Sequence, residues 1–123
     1  MDDMAYLRKE KEIVEMDYPL SKVWEAIPKA VNSIEWSIEE TNDAEHRVKA
    51  RTKASLMSYR SVLSIDAIEV TEKTTRVNVS AETPVTTVTA IVDFGRTRER
   101  IDLFLAALVK QLISKKEKPE KAD

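Results

Sequence analysis

Between Thr97 and Ser114 the side chains of Ile101, Phe104, Leu105, Leu108, Leu112 and Ile113 fall on one face of a helix. Arg98, Arg100, Asp102 and Lys110 fall largely elsewhere. No other stretch of the chain has so clear a period. A helix with one apolar face needs a second layer to cover it. What the remaining sequence offers is strands, whose apolar residues alternate with polar ones and so form one dry face and one wet face.

The spacing predicts a first strand near Glu12 to Asp17, where Val14, Met16 and Tyr18 alternate with Glu15 and Asp17. Pro19 ends it, and Ser21 is placed to cap the helix that follows. Val23, Ile27, Val31 and Ile34 then recur at helical spacing, with Trp24 and Ala30 beside them. Pro28 lies inside this pattern and predicts a kink or a break into two short helices. Trp36 and Ile38 start a run of strands, and Glu40 to Glu45 reads as a hairpin turn. His46, Val48 and Ala50 alternate with Arg47, Lys49 and Arg51. The stretch Tyr59 to Val70 changes apolar parity between Leu63 and Ile65 on one side and Ile68 and Val70 on the other, which predicts a bulge or bend. A turn at Thr71 to Thr74 leads to Val77, Val79 and Ala81. Pro84 then breaks the chain, and Val85 to Val92 reads as a further strand. Gly95 is the only glycine, so it marks a positive φ or a tight approach.

The expected organisation is a tail at residues 1–11, a single α+β domain at 12–114 and a charged, disordered tail at 115–123. Hydrophobic residues at 42% and charged residues at 34% are a globular composition, able to fold around a core. A net charge of -2 excludes a strong general attraction to nucleic acid or anionic lipid. The chain has no cysteine and one histidine, which excludes disulfides, thiolate chemistry and His-rich metal sites. No Gly-rich phosphate loop, nucleophile motif or metal-ligand spacing is present, so no catalytic residue, cofactor or metal ligand is assigned. The longest apolar run, Leu103 to Val109, falls far short of the ~20 residues of a membrane span. A cytoplasmic protein without a membrane segment is the expectation.

The resulting order is β-α-β(4-5)-α: an antiparallel sheet of about five or six strands packed on a long C-terminal helix. In this order, Met16-Asp17-Tyr18-Pro19-Leu20-Ser21-Lys22-Val23-Trp24-Glu25-Ala26-Ile27 resembles the first strand of the START/Bet v 1-like (SRPBCC, helix-grip) superfamily running into its first helix. Asp93-Phe94-Gly95-Arg96 and the amphipathic helix after it resemble the closing element of that superfamily. The TATA-binding-protein-like arrangement has a similar order and is the alternative. The resemblance implies a small apolar ligand held between the C-terminal helix and the sheet. Trp24, Trp36, Tyr59, Leu63, Ile65, Val77, Phe94, Phe104 and Leu108 are the ligand-binding residues it implies. The short chain has little spare volume, which favours core packing for the two tryptophans. The competing reading is therefore a non-catalytic interaction or homodimerisation module with a filled core. Its interface would be an edge strand at 85–92, open to a second copy.

Three charged groups carry weaker signals. Arg47, Lys49, Arg51 and Lys53 form a basic stripe of period two, suited to a phosphate backbone or to a plain solvated face. Aromatic residues do not alternate with them, and Glu39 and Glu82 dilute the charge, so the solvated face is expected. Arg96, Arg98, Glu99 and Arg100 crowd a helix N-terminus, where the arginines need an anion or a partner such as Asp93, Glu99 or Asp102. His46 is expected at the surface, and Asp66 and Glu69 differ in parity, which does not suit a paired acid and base.

Overall fold

A computed structural model of the chain describes residues 6–53, 61–85 and 96–122. The elements are β1 (Tyr6–Met16), α1 (Leu20–Ser33), β2 (Ser37–Asn42), β3 (Arg47–Arg51), β4 (Val62–Thr71), β5 (Thr74–Val85) and α2 (Arg96–Ala122). The strands form one antiparallel five-stranded sheet in the order β1-β5-β4-β3-β2. The α+β class and the long C-terminal helix are as the sequence predicts.

Alternation decides which face of the sheet is dry. Val14 stands opposite Val77, which stands opposite Ala67. Val79, Ile65 and Val48 form the next row, and Ala81, Leu63 and Ala50 the one after. Of these residues all but the half-buried Val14 are buried. The helices cover this face: Val23, Ala26, Ile27, Ala30 and Val31 of α1 join Ile101, Phe104, Leu108 and Leu112 of α2 in one continuous core with it. Burying each large side chain of this set is worth about 1.5–3 kcal/mol. The outer face carries Arg47, Lys49, Asp66, Arg76 and Glu82.

Several elements differ from expectation. β1 starts at Tyr6, inside the stretch read as a tail, because it has a full-length partner in β5 (Tyr6 pairs with Val85). Ser21 is not the cap. Pro19 holds the N-cap in an extended conformation, and its carbonyl accepts from Lys22 and Val23 at 3.0 and 3.1 Å. α1 continues through Pro28 without a break, its buried stripe spanning the proline from Ile27 to Ala30 and Val31. Beyond α1, Glu35 adopts φ 64°. The amide of Trp36 bonds the carbonyl of Val31 at 3.1 Å, and that of Glu35 bonds Asn32 at 3.0 Å. This is a Schellman ending with the left-handed position filled by Glu35, and it turns Trp36 back into the core.

The β2–β3 turn lies at Asp43 to His46, later than the polar pattern suggests, and Asn42 Oδ1 braces it by accepting from the Glu45 amide at 3.1 Å. The expected mid-strand bulge of β4 is absent. Leu63, Ile65 and Ala67 stay inward, Ile68 and Val70 stay outward and exposed, and the register shifts only at Glu69 to Thr71. The β4–β5 turn sits at Thr71 to Thr74 as predicted, with Thr71 Oγ1 accepting from the Lys73 amide. Pro84 does not end β5, which runs to Val85. Pro84 stands opposite Leu7 of β1, and among the described residues the β5–β4 ladder runs to Glu82 opposite Val62, so the missing N–H of Pro84 interrupts none of that ladder.

α2 continues to Ala122, through the stretch read as a disordered tail, since Lys and Glu are good helix formers. Ile113, expected on the apolar face, is 44% exposed. Gly95 and residues 86–92 of the expected edge strand lie outside the described residues. Among the described residues no helix is long and apolar enough to cross a membrane.

Candidate functional site

The inward stripe of α2 begins in a polar group and ends in hydrocarbon. Thr97 heads it, followed by Ile101, Phe104, Leu108 and Leu112, all buried. Against Thr97 stand Thr83, near the end of β5, and Ser61, just before β4, both with no accessible surface. Thr83 Oγ1 and Thr97 Oγ1 are 2.9 Å apart, and Ser61 Oγ is hydrogen-bonded to Thr83 Oγ1. Thr52, just after β3, exchanges bonds with Ser61. The Thr52 amide donates to the Ser61 carbonyl at 3.0 Å, and the Ser61 amide donates to Thr52 Oγ1 at 2.9 Å.

Arg100 Nη1 donates to Ser61 Oγ at 2.5 Å. A guanidinium has no acceptor, so Ser61 must accept from it and has its one proton left for Thr83. Thr83 can then give its own proton to Thr97. One orientation thus satisfies three buried hydroxyls in a row, polarised by a fixed positive charge. Thr97 and Arg100 make further interactions as well. Sequence reasoning missed this group, although a signal existed. Thr52, Ser61, Thr83 and Thr97 each continue an apolar period by one further inward step, and each is a hydroxyl.

The residues implied by the resemblance fall in three places. Trp36, Leu63, Ile65, Val77, Phe104 and Leu108 come together in the core. Of these, Leu63, Ile65, Val77, Phe104 and Leu108 retain no accessible surface and are enclosed by protein atoms. Trp24 is half-buried at the margin. Its Nε1 donates to Asp43 Oδ1 at 3.2 Å, and its ring meets His46 edge-on at 5.2 Å, so it ties α1 to the β2–β3 turn. Tyr59 and Phe94 lie outside the described residues.

The basic stripe is paired cation by cation. Arg47 lies 2.6 Å from Asp66 and 3.4 Å from Glu45, Lys49 3.6 Å from Glu40, Arg51 2.6 Å from Glu39, and Lys53 2.5 Å from Glu35. The hydrogen bond to Asp66 pushes the Arg47 pKa above its usual value. An open depression of about 500 Å³ over Glu40, Asn42, Arg47, Lys49, Ser64 and Asp66 therefore carries balanced charge.

Arg98 has partners too. Its Nη2 donates to Glu12 Oε1 at 2.7 Å, its Nη1 reaches the Lys11 carbonyl at 3.3 Å, and its Nε lies 3.4 Å from Asp102. Asp102 is among the partners expected, whereas Glu12 is not. Glu12 sits at an inward position of β1, opposite Val79, where α2 passes over the strand. No group of three or more His, Cys, Asp or Glu able to hold a metal occurs among the described residues.

No family model matches the sequence, and no curated protein does. Solved structures do match. A norcoclaurine synthase point mutant from Thalictrum flavum, in complex with a transition state analogue, superposes with a TM-score of 0.68 at 9% identity, over 92% of this chain and 98% of that one. The Zhui aromatase/cyclase from Streptomyces sp. R1128 gives 0.63 at 13% identity, over 87% and 94%. An uncharacterised protein from Bacillus thuringiensis gives 0.64 at 15% identity, over 86% and 99%. The chain has a compact START/Bet v 1-like fold. At these identities the likeness is one of fold alone. Within this fold, Trp36, Leu63, Ile65, Val77, Phe104 and Leu108 belong to the core shared by α2 and the sheet.

Proposed function

We propose that this START/Bet v 1-like chain is a binding domain for a small, largely apolar ligand held between α2 and the sheet. The observation that carries this reading is the apolar layer under α2, closed at one end by the Ser61, Thr83 and Thr97 hydroxyls with Arg100. Ligand sites are mostly apolar with a few convergent polar groups that fix orientation. Fold likeness adds support, since one such structure of norcoclaurine synthase is a complex with dopamine and hydroxybenzaldehyde. Trp36, Leu63, Ile65, Val77, Phe104 and Leu108 supply the apolar wall in this reading, with Trp24, Tyr59 and Phe94 as its further members. The ligand enters by displacing packed side chains, because five of these residues are fully enclosed.

That enclosure favours a second reading, a module with a filled core whose partners bind outside. Native mass spectrometry compared with the denatured mass separates the two. An added mass that leaves on denaturation supports the ligand. A protein that stays bare after exposure to a panel of small apolar compounds overturns it in favour of the filled core.

A further inference from the structure

α2 carries a second apolar stripe, turned away from the core. Leu103, Val109 and Ile113 are 48%, 42% and 44% exposed, and Ala106, also exposed, lies among them. Asp102 and Lys110 flank this stripe, both exposed. Beside it runs an open groove of about 420 Å³, floored by Ala106 and Ala107 and bounded by Ile34, Leu103 and Lys110. We propose that this face binds a second copy of the chain, α2 against α2, antiparallel about a two-fold axis at Ala106.

The part of the face from Asp102 to Lys110 is self-complementary in that register, while Ile113 stands level with Glu99 of the second copy, at the outer end of the contact. An antiparallel pair centred on residue 106 sets each residue level with the one equally far on the other side. Asp102 then stands level with Lys110 of the second copy, and symmetry repeats the pair. Leu103 stands level with Val109 of the second copy. A two-fold axis of this kind keeps Leu103 on the groove side, so each copy's Leu103 faces the other's groove beside Ile34. Ala106 meets Ala106, and its small side chain lets the helices approach closely. A parallel pairing sets Asp102 on Asp102 and Lys110 on Lys110, which like-charge repulsion opposes. The proposal does not depend on what α2 covers on its inner side.

Charge reversal tests it. All positions concerned are exposed, and circular dichroism checks that each variant is folded. Sedimentation equilibrium of the full chain should show a dimer. Asp102→Lys and Lys110→Asp should each weaken that dimer about tenfold or more, since each sets like charges together twice. Mixing the two variants should restore association, as one then carries two cations and the other two anions. The double variant Asp102→Lys/Lys110→Asp should dimerise like the parent. A parent that stays monomeric at its highest soluble concentration overturns the proposal. A dimer indifferent to the reversals, or one that mixing does not restore, overturns it equally.

Discussion

Glu35 occupies a backbone position that favours glycine, at φ 64° after α1. The Schellman bonds of Glu35 and Trp36 leave the chain no alternative there, so the left-handed cost is carried locally. Glu35→Gly should therefore raise the urea midpoint with an unchanged slope, and equilibrium unfolding checks this. A lower midpoint would show that the Glu35 side chain matters more than its backbone. That side chain accepts from Lys53, and this bond, aided by the lysine charge, holds the Glu35 carboxyl below its ordinary value. Its contribution to stability is present above the unfolded-state pKa and is lost as pH falls through the lower folded value. In Lys53→Met the Glu35 midpoint should return toward the usual carboxylate range, read from its carboxyl carbon shift in an NMR titration. None of this could be seen in the sequence. Nothing in the residue types marks Glu35 as a helix ending or joins it to Lys53, whereas the lone Gly95 advertises its freedom and sits elsewhere.

Elements meet through side chains whose parity looks wrong until the neighbour is known. Glu12 faces inward on β1 because α2 brings Arg98 to it. Arg98 also reaches the Lys11 carbonyl, on β1, the outermost strand of the sheet among the described residues. An open edge is a template for another chain, and a bonded carbonyl blunts it. Arg98→Ala should speed hydrogen exchange along β1 near Lys11 to Ile13 more than along β4. Uniform rates in the variant would show that the arginine does not secure the strand. The hydroxyl chain joins β4, β5 and α2 in the same way. Thr83→Val keeps the shape but removes the buried bonds to Ser61 and Thr97, at a cost of about 1–3 kcal/mol by urea unfolding. Periodicity located the strands and α2, since apolar alternation is a local signal. It could not locate these junctions, because a threonine at the end of a strand reads the same whether it faces water or another threonine. The mid-strand bulge expected in β4 fails for a related reason. Ile68 and Val70 suggested a change of parity, but they are outward residues that happen to be apolar.

At the scale of the whole molecule, the two-layer architecture follows from one requirement: the inward apolar stripe of α2 and the dry face of the sheet each need the other. That requirement is written in the sequence, but how tightly the two layers close is not, because packing volume depends on all the facing side chains together. Leu108 is the position at which the difference can be measured. It is fully enclosed in the core beneath α2. Leu108→Ala should cost about 2–5 kcal/mol, the spread reflecting how far the cavity collapses. With a filled core, small apolar compounds should then raise the Tm of the variant and leave the parent unchanged. With a ligand site under α2, they should raise the Tm of the parent as well, because binding at 100 times Kd adds about 2.7 kcal/mol. Leu108→Trp should abolish that rise while the helical circular dichroism remains, since the larger ring takes up the space the ligand needs. A rise that survives Leu108→Trp would move the site away from the middle of α2, toward the hydroxyl chain at its head.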